Sequence, residues 1–195
     1  FLIENGGAYN DITPVRTTTS AGDVTFSASN TTLSAAVSST SATTIAITDA
    51  TGFPTAGKVL IGSEVVDYTG ITNNTLTGCT RGASKLVNDV ATSTTAATHS
   101  SGAAVTCFTI IVTDNAHGAV AGDFVTFSGA ASLGGNITAT VLNRNYQIEA
   151  VETLNTYTIL AKSFSDTTLK FTNVASTSSD SSNGGNSVVG TYSSF

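Results

Sequence analysis

The stretch from Cys107 to Ala161 reads CFTIIVTDNAHGAVAGDFVTFSGAASLGGNITATVLNRNYQIEAVETLNTYTILA. Apolar and polar side chains alternate over Phe108–Thr113, Asp123–Ser128, Asn145–Val151 and Thr156–Leu160. A period of two residues is typical of strands that bury one face. Glycine, asparagine and aspartate, which favour turns, separate the runs. The stretch therefore predicts a small antiparallel barrel or sandwich.

A second β unit is predicted over residues 31–105. Its strongest signal is a hairpin, in which Lys58–Ile61 and Glu64–Tyr68 flank the two-residue turn Gly62-Ser63. Two β-rich runs joined by such a turn favour an antiparallel pair. From Arg81 to Ser101 the periodicity is lost among serine, threonine and alanine, which predicts a long loop.

The composition excludes several classes of protein. Of the 195 residues only 10% are charged, and the net charge is −6. The seven basic residues are scattered, whereas a specific nucleic-acid interface needs a basic stripe. No continuous apolar run reaches the roughly 18 residues of a membrane span. Methionine is absent, which predicts a fragment or a processed product.

Cysteine and histidine residues show no pattern of a metal or nucleophilic site. Cys79 and Cys107 lack the spacing of zinc or redox motifs, so two buried free thiols are expected, with a disulfide as the alternative. His99 falls in the predicted loop and His117 in a turn, and neither can be paired with a nucleophile from the sequence. We predict no catalytic, cofactor-binding or metal-binding residue.

Two pairs of carboxylates are close enough in sequence to be considered for glycoside hydrolysis. These pairs are Glu64 with Asp67, and Glu149 with Glu152. Residues three apart on a strand point to opposite faces, so neither pair converges locally. Solvated strand faces are the favoured interpretation, and we expect the chain not to be an enzyme.

Three segments carry a resemblance to a known family. Asp11–Arg16 reads DITPVR, Gly122–Ala130 reads GDFVTFSGA, and Leu142–Ile148 reads LNRNYQI. In these segments the chain resembles the tail nozzle, or tail tubular, structural proteins of short-tailed phages. Residues 31–105 look like β modules of phage tail and fibre proteins, on the motifs Ile61–Glu64 and Thr77–Gly82.

The resemblance implies a division of the chain. Residues 1–22 are expected to be a linker from a propeller-like body, and residues 23–30 with 106–174 a β domain that also resembles the small β half-domain of ubiquitin-activating enzymes. Residues 31–105 are an inserted module, and residues 175–195 a Ser/Gly-rich linker with a return strand. The fold class is thus all-β, with one small antiparallel β-barrel or sandwich domain inserted into another and extended terminal linkers. Inserted domains have neighbouring ends, so the two boundaries should lie within about 10 Å.

The resemblance also implies a function. A non-enzymatic structural part of a virion, in the tail nozzle or tail tube, would contact copies of itself in a ring, expected to be a hexamer, and other virion proteins. Such a protein is assembled in the host cytoplasm and binds no specific nucleic acid. The alternative is a receptor- or glycan-binding adhesin, tail-fibre or capsid decoration module that recognises the host surface. Its candidate contact surface comprises Tyr68, Arg81, Lys85 and His99.

Overall fold

The computed structural model describes residues 3–5, 8–10, 14–17 and 23–193, the first three ranges as backbone only. Strands make up 46% of the structure and helix 2%, in several small antiparallel sheets. The predicted all-β class is confirmed. No sheet formed by the described residues closes into a barrel.

The elements are short. In chain order they are β1 (Ile3–Asn5), β2 (Ala8–Asn10), β3 (Pro14–Thr17), β4 (Val24–Ser27), β5 (Asn30–Thr32), β6 (Thr44–Ala46), β7 (Gly57–Ile61), β8 (Glu64–Tyr68), β9 (Gly70–Thr72), β10 (Thr75–Thr77), β11 (Ser84–Val87), β12 (Val90–Ser93), β13 (Ala104–Cys107), β14 (Thr109–Asp114), β15 (Phe124–Ser128), α1 (Ala139–Leu142), β16 (Asn145–Gln147), β17 (Ala150–Thr153), β18 (Thr156–Leu160), β19 (Lys162–Ser165), β20 (Lys170–Asn173) and β21 (Val189–Ser193).

Two four-stranded sheets form a sandwich. Their strand orders are β17-β18-β14-β4 and β16-β15-β21-β3. Aromatic rings connect the sheets across the core: Phe26 meets Phe127 edge-on at 4.9 Å between centroids, and Tyr157 meets Tyr192 at 6.0 Å. All four side chains are at most 3% exposed. Burial of these rings on both inner faces stabilises the sandwich.

Three of the four predicted runs are strands of the sandwich, namely β14, β15 and β18. The fourth, Asn145–Val151, is two strands in different sheets. Its first part pairs with β15 and its second with β18. Buried Ile148 lies between them, with backbone hydrogen bonds to Gly122 and Asp123. The alternation of apolar and polar residues predicts a strand but does not say with which sheet it pairs.

The second unit has its own hydrophobic core. Its sheets have the orders β5-β13-β7-β8 and β6-β10-β9. The predicted hairpin is confirmed, with Ile61 paired to Glu64 across the turn and Gly62 at φ +60°. The buried side chains of this core are Leu33, Val37, Ile45, Ile47, Phe53, Val59, Ile61, Val66, Tyr68, Leu76, Cys79, Val105 and Cys107.

The two units are joined by a pair of neighbouring strands. β4 is followed at once by β5, and β13 by β14, while β5 pairs with β13 and β4 with β14. Asn30 and Thr106 are direct antiparallel partners, which places their Cα atoms about 5 Å apart. The two ends of residues 31–105 therefore have the adjacency expected of an insertion.

The prediction of a long loop over Arg81–Ser101 is wrong for residues 84–93. β11 and β12 form a hairpin there, with Asn88 and Asp89 at φ 49° and 61° in the turn. Side chains of β12 are exposed and those of β11 half-buried. Polar residues on both faces leave no alternation in hydrophobicity, so the pairing has no signal in the sequence.

The tail, residues 175–195, was predicted as a Ser/Gly-rich linker with a return strand; the return strand is present as β21, but the segment before it is partly buried and not a linker. Ser176 and Asp180 are buried, and Val188 is completely buried. β21 lies between β15 and β3, so the sandwich continues beyond residue 174. Within the predicted sandwich domain, β20 pairs with β19 to form a two-stranded hairpin. Most of the linker predicted over residues 1–22 lies outside the described residues, but Pro14 begins edge strand β3, a position that tolerates proline.

Candidate functional site

The most concentrated polar cluster lies around Glu64, at the start of β8. The Glu64 side chain is fully buried and accepts two hydrogen bonds from the Arg81 guanidinium, at 2.7 and 2.8 Å. His99 Nε2 lies 2.7 Å from the same carboxylate, and the backbone N–H groups of Gly82 and Ala97 donate at 3.0 Å each. Five contacts therefore hold the carboxylate.

The electrostatics of the cluster around Glu64 indicate a structural role. Burial alone raises the pKa of Glu64, but the hydrogen bonds from Arg81, Ala97, His99 and Gly82 outweigh it and lower that pKa to about 2. Arg81 also donates to the carbonyl oxygens of Ser39 and Ala97. A carboxylate held ionised by this many fixed donors anchors the chain around it and is unsuited to proton transfer.

The predicted contact surface is contradicted by these positions. Tyr68 is 2% exposed and donates to the Pro54 carbonyl, and Arg81 and His99 have side chains only 4% and 9% exposed. Lys85 is half-buried on β11. The sequence predicted Arg81 and His99 in a loop, because no sequence pattern indicates that both side chains bind the buried Glu64 carboxylate.

The carboxylate pairs do not converge. Glu64 faces the core of the second unit, while Asp67 on the opposite face of β8 forms an ion pair with Lys58. In the sandwich, Glu152 accepts a hydrogen bond from the backbone N–H of Thr55, and Glu149 is exposed. The predicted divergence of side chains three residues apart is present for Glu64 and Asp67, which both lie on β8.

The remaining reactive side chains are enclosed. Cys79 and Cys107 are buried free thiols, as expected, and burial raises the pKa of Cys79 to about 11. His117 is 2% exposed, accepts a hydrogen bond at Nδ1 from the Ala119 N–H, and lies 5.0 Å from the Tyr157 ring. Within the described ranges no three His, Cys, Asp or Glu side chains are grouped to hold a metal ion.

A cleft between the two units is lined by charged side chains, of which Lys58 and Asp67 form an ion pair. One cavity of about 220 Å³ is lined by Leu86 of the second unit and by Tyr146, Gln147, Glu149, Leu160, Lys162 and Asn173 of the sandwich. A second of about 260 Å³ is lined by Ala56, Gly57, Lys58, Asp67, Thr109, Glu149, Ala150, Thr158 and Leu160. The two cavities share the lining residues Glu149 and Leu160 and are therefore neighbours, and together we call them the seam groove.

Lys162 is the unusual residue of the seam groove. Its ammonium lies 4.9 Å from the centroid of the Phe171 ring and 5.4 Å from that of Tyr146. Among the described residues it has no hydrogen-bond acceptor or ion-pair partner. Burial lowers the pKa of Lys162, the negative charges of Glu149 and Asp89 raise it, and the positive charge of Arg144 lowers it. The ammonium therefore lies in aromatic surroundings without a direct counterion.

No pattern in the sequence predicts the seam groove. Tyr146 and Lys162 belong to different strands, and Leu86 comes from the hairpin that was predicted to be a loop. That hairpin docks on β20, where the Asp89 N–H donates to the Phe171 carbonyl and the Asp89 carboxylate accepts from the Phe171 N–H. Only this tertiary contact brings the lining residues together.

Comparison with known proteins adds no family to these observations. No helix formed by the described residues has the length and hydrophobicity of a membrane span. No protein-family model, no curated protein and no solved structure matches the chain.

Proposed function

We propose that the chain is a non-enzymatic structural part of a phage virion, located in the tail nozzle or tail tube. In this proposal it contacts copies of itself in a closed ring, with six subunits expected, and neighbouring virion proteins. It is assembled in the host cytoplasm and acts as part of the particle. The proposal starts from the sequence resemblance at Gly122–Ala130 and Leu142–Ile148, segments that include β15 and β16 of the sandwich.

One structural observation carries the proposal. β3 and β21, the first and last strands of the sandwich in sequence, pair with each other, with Thr17 opposite Thr191 and Arg16 opposite Tyr192. A β domain carried on a tail body needs its two connections on one side, so that the rest of the domain extends outward. The pairing of β3 with β21 provides such an attachment.

The hydrogen bonding of the buried carboxylates Asp180 and Glu64 also favours a structural role for the chain. Asp180 is 3% exposed and accepts hydrogen bonds from the backbone N–H groups of Gly135, Asn136, Ile137 and Thr177. Glu64 has five donors of its own. Buried carboxylates with so many partners hold loops in place. These two residues give the chain rigid loops, which suits a part that must keep its shape under mechanical load.

Charge supports the location beside a DNA channel. The chain has a net charge of −6, and among the described side chains the basic residues Lys58 and Arg81 are ion-paired. An acidic ring repels the phosphate backbone and lets DNA pass without adhering. Repeated contacts between identical subunits close into a ring when the rotation between neighbours is a whole fraction of a turn.

Immunogold electron microscopy tests the location. Antibodies raised against the full chain are applied to purified particles, and gold label is expected at the tail, with several copies per particle. A matched serum from which these antibodies have been absorbed with the purified chain controls for non-specific label. Absence of label from intact and from partially disassembled particles would overturn the proposal.

A further inference from the structure

The β11–β12 hairpin leaves one strand edge open. Among the strands whose side chains are described, β12 (Val90–Ser93) is alone in having every residue exposed. The Thr94 N–H donates to the Ala83 carbonyl, and backbone groups of successive strand residues point in alternate directions. The N–H and C=O groups of Ala91 and Ser93 therefore point away from β11, and they have no hydrogen-bond partner among the described residues.

Several other edge strands are covered or interrupted. In β4 the Phe26 N–H donates to the Asn183 carbonyl. In β5 the Thr32 carbonyl accepts from the Thr48 N–H, and the register of β17 is broken by a bulge. Covering segments and bulges hinder the pairing of an edge strand with another chain. β12 has a continuous register, no proline and no charged side chain, so it lacks these protections.

The sequence of β12 suits pairing with itself. Antiparallel pairing centred on Thr92 would place this residue opposite Thr92 of a second copy, Ala91 opposite Ser93, and Val90 opposite Thr94. The outward backbone groups of Ala91 would then meet those of Ser93, and each such pair exchanges two hydrogen bonds. Val90, which is 59% exposed, would be partly covered. Cross-strand threonine pairs add to the stability of a sheet.

The charges of the hairpin do not oppose this pairing. Lys85 is the cross-strand neighbour of Thr92 within the hairpin. In the paired copies the two Lys85 residues would be separated by three strand spacings, about 14 Å. That distance exceeds the screening length of about 8 Å at physiological ionic strength. The other charged residue, Asp89, lies in the turn, where its carboxylate accepts from the Phe171 N–H.

We propose that β12 is a docking edge for a second copy of the chain, paired antiparallel with β12 of that copy about a twofold axis at Thr92. The two-stranded sheets of both copies then form one continuous sheet. A twofold contact uses the same surface on both copies and closes after two, so it differs from the repeated contact of the proposed ring. It depends only on β12 and is independent of the virion proposal. Such short strands bury little surface, so we expect a dissociation constant on the order of 0.1–1 mM.

Sedimentation equilibrium of the full chain, at concentrations up to about 1 mM, measures this association, and we expect a monomer–dimer equilibrium. Thr92→Lys and Thr92→Glu each place like charges directly opposite one another, so each variant alone should remain monomeric. An equimolar mixture of the two variants places opposite charges in the same position. The mixture should associate at least about tenfold more tightly than either variant alone.

Two further sets of variants make the result specific. Thr113→Lys and Thr113→Glu introduce the same charges at an exposed threonine of β14, outside the hairpin. Each of them, and their mixture, should associate like the unsubstituted chain. Ala91→Pro removes an outward N–H that the β11–β12 ladder does not use, and it should abolish the dimer.

Each opposing outcome overturns the inference. These outcomes are a monomer at every concentration, assemblies larger than a dimer, or association that is unchanged by the Thr92 substitutions. A mixture of the Thr92 variants that associates no more tightly than each alone, or an equal gain in the Thr113 mixture, would likewise overturn it. If Ala91→Pro does not fold, as judged by circular dichroism, the Thr92 variants decide, because that side chain is exposed.

Discussion

Replacing Glu64 by glutamine removes the charge at the centre of the buried cluster. The glutamine side chain has one carbonyl oxygen and an NH₂ group in place of two acceptor oxygens. The NH₂ group would face donors in either orientation: Arg81 and Gly82 at one oxygen position, or Arg81, His99 and Ala97 at the other. Arg81 would then be a buried cation without its counterion. Breaking a buried ion pair by removing one partner costs about 3–5 kcal/mol, so Glu64→Gln should destabilise the chain by about that amount.

The stabilisation of the folded state by the Glu64 carboxylate should decrease as the pH falls. The folded-state pKa of Glu64, about 2, is below the ordinary glutamate value of 4.5. A depressed folded pKa stabilises the folded state at pH values above 4.5, and this stabilisation is lost as the pH falls towards 2. At 1.36 kcal/mol per pH unit, the difference between the two pKa values corresponds to about 3 kcal/mol. The stability gap between the unsubstituted chain and Glu64→Gln should therefore narrow between pH 4.5 and 2.

Urea denaturation followed by circular dichroism measures both effects. Hydrogen exchange of residues 81–99 gives a local readout, because the cluster fixes that segment to β8. Asp67→Asn is the matched control, since it makes the same chemical change on the same strand at a side chain 44% exposed. It should cost at most about 1 kcal/mol. A cost for Glu64→Gln no larger than that of Asp67→Asn, or a gap that does not change with pH, would refute the reasoning.

Three further substitutions test other parts of the scaffold by urea denaturation at neutral pH. Asp180→Ala leaves several buried N–H groups without an acceptor and should cost about 3 kcal/mol or more, whereas the exposed Asp166→Ala should be nearly neutral. Gly129→Ala should cost about 1–3 kcal/mol, because φ is +75° and the added Cβ would lie 2.2 Å from the Ser187 carbonyl oxygen. Tyr157→Phe removes a buried hydroxyl 2.9 Å from that of Tyr192 and should cost about 1 kcal/mol. A cost below 0.5 kcal/mol for Asp180→Ala or Gly129→Ala would contradict the packing described for that residue, and an unchanged midpoint for Tyr157→Phe would mean that the hydroxyl pair adds no stability.

The parts of the fold that follow from local pattern could be predicted from the sequence. Alternation gave β14, β15 and β18, and the Gly62-Ser63 turn gave the β7–β8 hairpin, because each depends on residues close together in the chain. The adjacency of Asn30 and Thr106 was also expected before the fold was known. These features carry their own signal in side-chain period and turn chemistry.

The features that were missed depend on contacts between distant residues. Ser176 illustrates this, since it lies in a Ser/Gly-rich segment whose composition is typical of linkers. Its backbone N–H donates to the Cys107 carbonyl and its hydroxyl donates to Asn30, across the junction of the two units. Nothing in the local sequence distinguishes this serine from its exposed neighbours.

The candidate site was missed for the same reason. Arg81 and His99 are polar residues in a region without periodicity, and only the position of Glu64 explains their burial. Lys162 and Leu86 meet at the seam groove because β11 docks on the β19–β20 hairpin. Side-chain chemistry is visible in the sequence, whereas the approach of two hairpins is a property of the whole fold.

A symmetry-resolved cryo-electron microscopy reconstruction of the parent particle tests the central proposal most directly. The two-unit shape of this chain is fitted to the density without restraint on its location. We expect several copies related by closed rotational symmetry around the tail axis, with the β3–β21 edge of the sandwich nearest the tail body and the second unit facing outward. A single copy, an open filament, or no density for the chain anywhere on the particle would contradict the proposal.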